Sequence, residues 1–276
     1  MSSPEVSAPL LAPMPPGQRP GLSDADAHPP DAVPRGEERD AETETLLERM
    51  ARLQRALYAE GRRAVLVVLQ GRDASGKDGV IRKVFGAFNP EGCQVTSFGA
   101  PSEAELARDY LWRVHLAVPP RGRVGLFNRS HYEDVLVVRV RKLVPESAWS
   151  RRYDQINAFE RMLVDEGTTV LKFFLHVSRD EQRERLRKRL TDPEKNWKFR
   201  GGDLDDRALW DEYTAAYADA IARCSTDWAP WYVVPADKKP VRDYLVAQVV
   251  TAALERMAPK YPRAEPEVLK MLERIT

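Results

Sequence analysis

Residues 64–69, Ala-Val-Leu-Val-Val-Leu, form an unbroken apolar run rich in β-branched side chains, and a loop bracketed by glycines and closed by a lysine follows at once, Gly71-Arg72-Asp73-Ala74-Ser75-Gly76-Lys77. A run without polar alternation predicts a strand covered on both faces. The loop matches the Gly, four residues, Gly-Lys part of the P-loop pattern, set between a strand and a helix predicted to start near Gly79. Glycines let successive backbone amides turn inward on phosphate oxygens, and a helix N-terminus adds partial positive charge. Gly71, Ala74, Ser75, Gly76, Lys77 and Asp78 are therefore the candidate phosphate-binding residues, with Lys77 placed to follow a transferring phosphoryl group.

Further apolar runs at 124–127, 170–177 and 231–234, with a weaker one at 94–98, predict four more strands. Helical periodicity appears between them at 79–88, 102–117, 146–166, 179–190, 204–223 and 240–257, and before the first strand at 40–60, ending at Gly61. Alternation of this kind predicts an α/β fold, a three-layer sandwich with a mostly parallel sheet, whose ligands bind beyond the carboxyl ends of the strands. Residues 1–38 hold nine of the 21 prolines and read as a disordered tail, residues 39–258 as one catalytic domain, and 259–276 as a C-terminal tail.

One departure from the common loop pattern concerns metal. The Ser or Thr that usually follows the lysine is here Asp78, so Asp73 is the nearest candidate ligand, because Mg²⁺ takes one or two carboxylates together with water and phosphate oxygens. A purely structural role, capping the loop amides, is the alternative for Asp73. The strand at 124–127 runs into Asn128-Arg129-Ser130-His131-Tyr132-Glu133-Asp134. Asn128 carries no charge for a cation, which leaves Glu133 or Asp134, and Glu133 is preferred. Arg129 stands at the strand's end, where a guanidinium grips phosphate with paired hydrogen bonds. His131 and Tyr132 read as packing residues.

Residues 183–200 carry eight basic against three acidic side chains and are broken by Pro193 and followed by Gly201-Gly202. That composition predicts a helical lid over about 183–202, which closes on phosphates. Arg189, Lys198 and Arg200 are its candidate contacts, whereas Arg183, Arg185 and Arg187 read as a solvated helix face. Trp197 and Phe199 brace the lid or meet a base. The tract 231–238 ends the last strand beside the expected base pocket, and its aromatics read as core packing.

These residues together resemble the polyphosphate kinase 2 family over roughly residues 46–257. The resemblance rests on Gly71 to Gly79, on Phe127-Asn128-Arg129-Ser130-His131-Tyr132-Glu133, on Pro193-Glu194-Lys195-Asn196-Trp197-Lys198 and on Ala229-Pro230-Trp231-Tyr232. It implies a thymidylate-kinase-like fold in which polyphosphate replaces ATP as donor, and an aspartate at 78 is normal there. Asn128 and Glu133 look like the class III type, which phosphorylates both AMP and ADP. The resemblance assigns phosphate contact to Lys77 and Arg129, metal binding to Asp73 and Glu133, and polyphosphate or nucleotide contact to Arg189, Lys198 and Arg200. It also implies Mg²⁺, or Mn²⁺ in its place, and a homo-oligomer. The choice between adenine and guanine nucleotides stays open. From the residues alone, an ATP-dependent nucleoside monophosphate kinase and a non-catalytic nucleotide or polyphosphate sensor are the rival readings.

Lys and Arg number 43 against 42 Asp and Glu, so no nucleic-acid or membrane partner is expected from bulk charge. Cys93 and Cys224 have no metal-type spacing and read as reduced packing residues. Without an apolar run of about 20 residues or a secretory leader, the expected compartment is the cytoplasm.

Overall fold

The structure, a computed structural model, describes residues 8–199 and 201–275. Five strands form one sheet, β1 (Ala64–Gln70), β2 (Cys93–Ser97), β3 (Val124–Asn128), β4 (Thr168–His176) and β5 (Trp231–Pro235), in the order β2-β3-β1-β4-β5 with every pairing parallel. The helices are α1 (Gly36–Glu60), α2 (Lys77–Lys83), α3 (Glu103–Leu106), α4 (Trp112–Ala117), α5 (Val137–Val140), α6 (Glu146–Asp165), α7 (Arg179–Thr191), α8 (Gly202–Ala208), α9 (Trp210–Cys224), α10 (Lys239–Met257) and α11 (Pro266–Lys270).

Strand side chains alternate between the two faces of a sheet, and the core divides accordingly. Val65, Val67 and Leu69 of β1 join Leu171, Phe173 and Leu175 under α1 and α10. Leu66 and Val68 join Phe127, Val170 and Phe174 under α6 and α9. All seven residues of β1 are buried, as its uninterrupted apolar sequence requires. Its central position places the loop that follows it, at residue 71, between the ends of β3 and β4, because Leu69 is in register with Asn128 and with Phe173.

Helix α1 starts at Gly36, ahead of the expected 40, and stops where Gly61 takes a left-handed conformation, φ 65°. The expected single helices at 102–117 and 204–223 are each divided in two. The largest difference lies before α1. The Pro-rich stretch was expected to be disordered, but residues 8–35 follow a fixed path along the domain. Met14 N donates to Trp231 O on β5 (2.8 Å), Gly17 N to Ala222 O (3.1 Å) and Asp237 N to Ala27 O (3.2 Å). Leu22, Ala27 and Val33 are buried. Local bonds such as Gln18 N to Pro15 O and Asp26 N to Ser23 O shape its turns, and the bonds to Trp231, Ala222 and Asp237 fasten it to three separate parts of the domain. Residues 1–7 lie outside the described residues.

Candidate active site

The turn from β1 into α2 is built on glycine for steric reasons. A Cβ on Gly71, φ 151°, would lie 2.8 Å from Leu175 O, and one on Gly76, φ 104°, would lie 1.9 Å from Arg242 Nη1. Ala74 also takes a left-handed conformation, φ 64°. Arg242 is 2 % exposed and braces the loop from behind. Ser75 is buried in the same turn.

Lys77, the first residue of α2, folds back across the loop and donates from Nζ to Gly71 O (2.6 Å) and Arg72 O (3.2 Å). Burial, with the Arg129 charge beside it, pulls its pKa down to about 8 against the opposing pull of Asp73, Glu133 and Asp78. Asp78 turns to β3 and accepts from Asn128 Nδ2 (2.9 Å).

From the neighbouring strand, β3, Arg129 adopts φ 62° and donates its backbone N–H to Leu69 O (3.0 Å), which ties the two strand ends together. Its guanidinium bonds Asp73 Oδ1 at 2.6 Å and lies 4.0 Å from Glu133 Oε2. Burial disfavours its charge, but Glu133 and Asp73 outweigh burial and raise its pKa. The two carboxylates respond in opposite directions. Burial would raise that of Asp73, yet Lys77, Arg129 and Arg189 hold it below the usual range. For Glu133 burial wins over Arg129, Lys77 and a hydrogen bond from Gln70, and its pKa is raised. Asp73, Arg129 and Glu133 line an open cleft together with Val137, Asp206, Tyr213 and Tyr217, and Lys77 is buried beside them as the fourth member of one charge cluster.

Among the described residues no group of three or more His, Cys, Asp or Glu could cage a metal ion. A divalent ion held here would have two protein carboxylates, Asp73 and Glu133, and would need substrate and water oxygens to complete its shell. That donor set fits Mg²⁺, which keeps several waters and binds through one or two carboxylates and phosphates.

In the segment expected to form the lid, Arg189 stands in the last turn of α7 and pairs with Asp203 of α8 (Nη1 to Oδ2, 3.1 Å) while its charge acts on Asp73. Lys198 lies in the 3-10 turn Asn196–Lys198, but its side chain, like Arg200, falls outside what is described. Trp197 is 73 % exposed. Arg183 and Arg187 are solvated as expected, at 52 % and 73 %. Arg185 is not, and the expectation of a solvated face is corrected there: its side chain is 9 % exposed and turned into the domain.

Three further residues escaped the sequence reading. Arg72 lines the same cleft, stacks 3.8 Å from the Trp210 ring and donates to Trp210 O (3.0 Å). Burial pulls its pKa down to about 10. Lys172 and Glu160, both fully buried, pair at 2.5 Å beneath the second motif. Tyr132 donates its hydroxyl to Glu160 Oε1 (2.8 Å), His131 Nε2 is 3.2 Å from the same oxygen, and Lys172 also donates to Cys224 O (2.6 Å). These bonds pin the turn His131–Asp134 that presents Glu133. A lysine interrupting an apolar strand was the visible signal, since a buried ammonium requires a partner. Both cysteines are free, with thiols pushed up by burial to about 11 for Cys93 and about 12 for Cys224.

The family model described as Polyphosphate kinase 2 (PPK2) matches residues 35–262. This chain belongs to the polyphosphate kinase 2 family. It is 61% identical over 217 residues to the AMP/ADP-polyphosphate phosphotransferase of Meiothermus ruber, covering 79% of this chain and 81% of that protein. It is 45% identical over 247 residues to the ADP-polyphosphate phosphotransferase of Rhodopseudomonas palustris, covering 84% and 86%. Among solved structures, the polyphosphate kinase 2 of Arthrobacter aurescens TC1 superposes with a TM-score of 0.84 at 40% identity, covering 89% of this chain and 90% of that one.

The buried pair generates a prediction. Lys172→Met leaves the Glu160 carboxylate uncompensated and is expected to cost about 3–5 kcal/mol in urea denaturation, more than the double variant Glu160→Gln/Lys172→Met. Burial alone would raise the Glu160 pKa, but Lys172 and His131 lower it below its ordinary 4.5. The stabilisation it contributes is therefore complete above that pH and lost as pH falls toward the folded value, so the double variant should show a flatter acid limb. Equal stability of the single variant and wild type would refute the assignment.

Proposed function

We propose that this protein transfers the terminal phosphate of inorganic polyphosphate to AMP and ADP, reversibly, with Mg²⁺ as the divalent ion and Mn²⁺ able to replace it. The observation that carries the reading is the joining of Lys77 and Arg129 with Asp73 and Glu133 across the ends of β1 and β3, in a chain of this family whose 61% identical relative is named for AMP/ADP–polyphosphate transfer. Asn128 and Glu133 support the class III type, acting on both nucleotide levels.

Phosphoryl transfer between two polyanions asks for alignment and neutralisation of their repulsion more than for a base. The attacking oxygen of a nucleotide phosphate is already ionised at neutral pH. Consistent with this, the one histidine of the second motif, His131, is buried against Glu160 and away from the cleft. In the proposed scheme the amides of the glycine loop, residues 71–76, grip the donor chain, and Lys77 exchanges its hold on Gly71 O for the phosphoryl oxygen. Arg129, already poised between two carboxylates, aligns the reacting phosphates. Asp73 and Glu133 are the residues that would hold the divalent ion, which supplies charge neutralisation for the anhydride oxygens. Arg189, Lys198 and Arg200 complete the cover, with Asp203 holding Arg189 until an anion competes for it. The donor and acceptor bonds are both phosphoanhydrides, so neither direction is strongly favoured.

Among the described residues no helix is long and apolar enough to cross a membrane, and the reading keeps the protein in the cytoplasm. The resemblance extends it to a homo-oligomer.

Incubation with AMP, polyphosphate and Mg²⁺ in the absence of ATP is expected to yield ADP and then ATP. Absence of product there, with turnover when ATP is added as donor, would establish a conventional nucleoside monophosphate kinase. Intact polyphosphate binding with no turnover under any donor would make the protein a sensor. Asp73→Asn is expected to lower Mg²⁺-dependent turnover by at least about 100-fold, roughly 2.7 kcal/mol of transition-state stabilisation. An unchanged Mg²⁺ requirement and rate would remove Asp73 from the metal site.

A further inference from the structure

Arg185 uses all five of its donors, and four of them go to backbone carbonyls of two separate loops. Nη1 donates to Ala74 O (3.0 Å) and Ser75 O (3.1 Å), and Nη2 to Ala236 O (2.6 Å) and Asp237 O (3.0 Å). Nε completes the set on Glu181 Oε1 (2.8 Å), one turn back on α7. The guanidinium therefore bridges the back of the glycine loop and the segment that leaves β5.

The location matters because a loop whose amides turn toward a bound anion must turn carbonyls the other way. Those carbonyls need donors, since a buried unpaired one destabilises the conformation that exposes the amides. Ala74 makes the demand sharper, for it holds a left-handed conformation, φ 64°, that an alanine does not favour. On the far side the anchor is rigid: Asp237 receives Ser178 N at the start of α7 (2.8 Å), and Ala236 N donates to His176 O (2.8 Å).

We infer that Arg185 is a positioning residue for phosphate transfer, holding the carbonyls of Ala74 and Ser75 outward so that the loop keeps its anion-binding shape before substrate arrives. The inference rests on the functional reading above. Arg185 touches no substrate in it. Its effect passes through the loop, and because α7 also carries Arg189, the same fork sets the base of the lid against the cradle. A lysine cannot replace it, because an ammonium is a single point of charge whereas the planar fork spans two loops.

Tripolyphosphate binding by calorimetry and turnover on AMP with polyphosphate test this on the full chain, using wild type, R185A, R185K and R183A. Arg183 is exposed on the same helix and serves as the control expected to match wild type. R185A and R185K are both expected to bind tripolyphosphate at least about tenfold more weakly and to lose turnover in proportion. Methylguanidinium should restore much of the binding to R185A, and potassium chloride at equal ionic strength should not. That recovery would not follow from a general loss of folding. R185K folds with its charge retained, so it decides the matter should R185A not fold. Wild-type affinity in R185K, or no response of folded R185A to methylguanidinium, overturns the inference alone. A wild type that binds no tripolyphosphate overturns the functional reading and the inference with it.

Discussion

The backbone turn of residues 71–76, between β1 and α2, is the constraint on which the rest of the site depends. That shape is not favoured by the chain itself, since Gly71, Ala74 and Gly76 all sit at positive φ. It persists because each side of it is held. Arg129 N bonds Leu69 O from β3, Lys77 crosses to Gly71 O, and Arg185 takes the carbonyls at the back. Arg242 fills the space beside Gly76 that any side chain would need.

The charges follow from that geometry. Two cations and two carboxylates crowd together, with Lys77 buried and the other three partly exposed, and they neutralise one another. The result is a depressed Lys77, a depressed Asp73 and a raised Glu133 within one cluster. In the proposed scheme an arriving polyanion changes this balance, releasing Lys77 and Arg129 from their internal partners. Reorganisation is small because the groups are already in place, which is the main source of catalysis open to a protein that supplies no covalent chemistry.

Much of this was legible beforehand. All five strands and their alternation with helices were marked by apolar runs, because strands buried on both faces leave an unbroken signature. Asp73, Lys77, Arg129 and Glu133 were candidates from the two motifs that follow β1 and β3, and the structure brings the four together. What stayed hidden depended on contacts between distant segments. Arg183, Arg185 and Arg187 alternate along one basic helix, and nothing local distinguishes the one that turns inward. Lys172 reveals its role only with Glu160 in view. The Pro-rich arm carries no periodicity, and its path is set by bonds to Trp231, Ala222 and Asp237 and by buried Leu22, Ala27 and Val33.

The most direct test of the central claim is a crystal structure of the protein with Mg²⁺ and tripolyphosphate. The account predicts the anion against the amides of residues 71–76, with Lys77 Nζ moved from Gly71 O onto a phosphate oxygen and the ion beside Asp73 and Glu133. An anion bound elsewhere, with the Lys77–Gly71 bond intact and the loop unused, would contradict it.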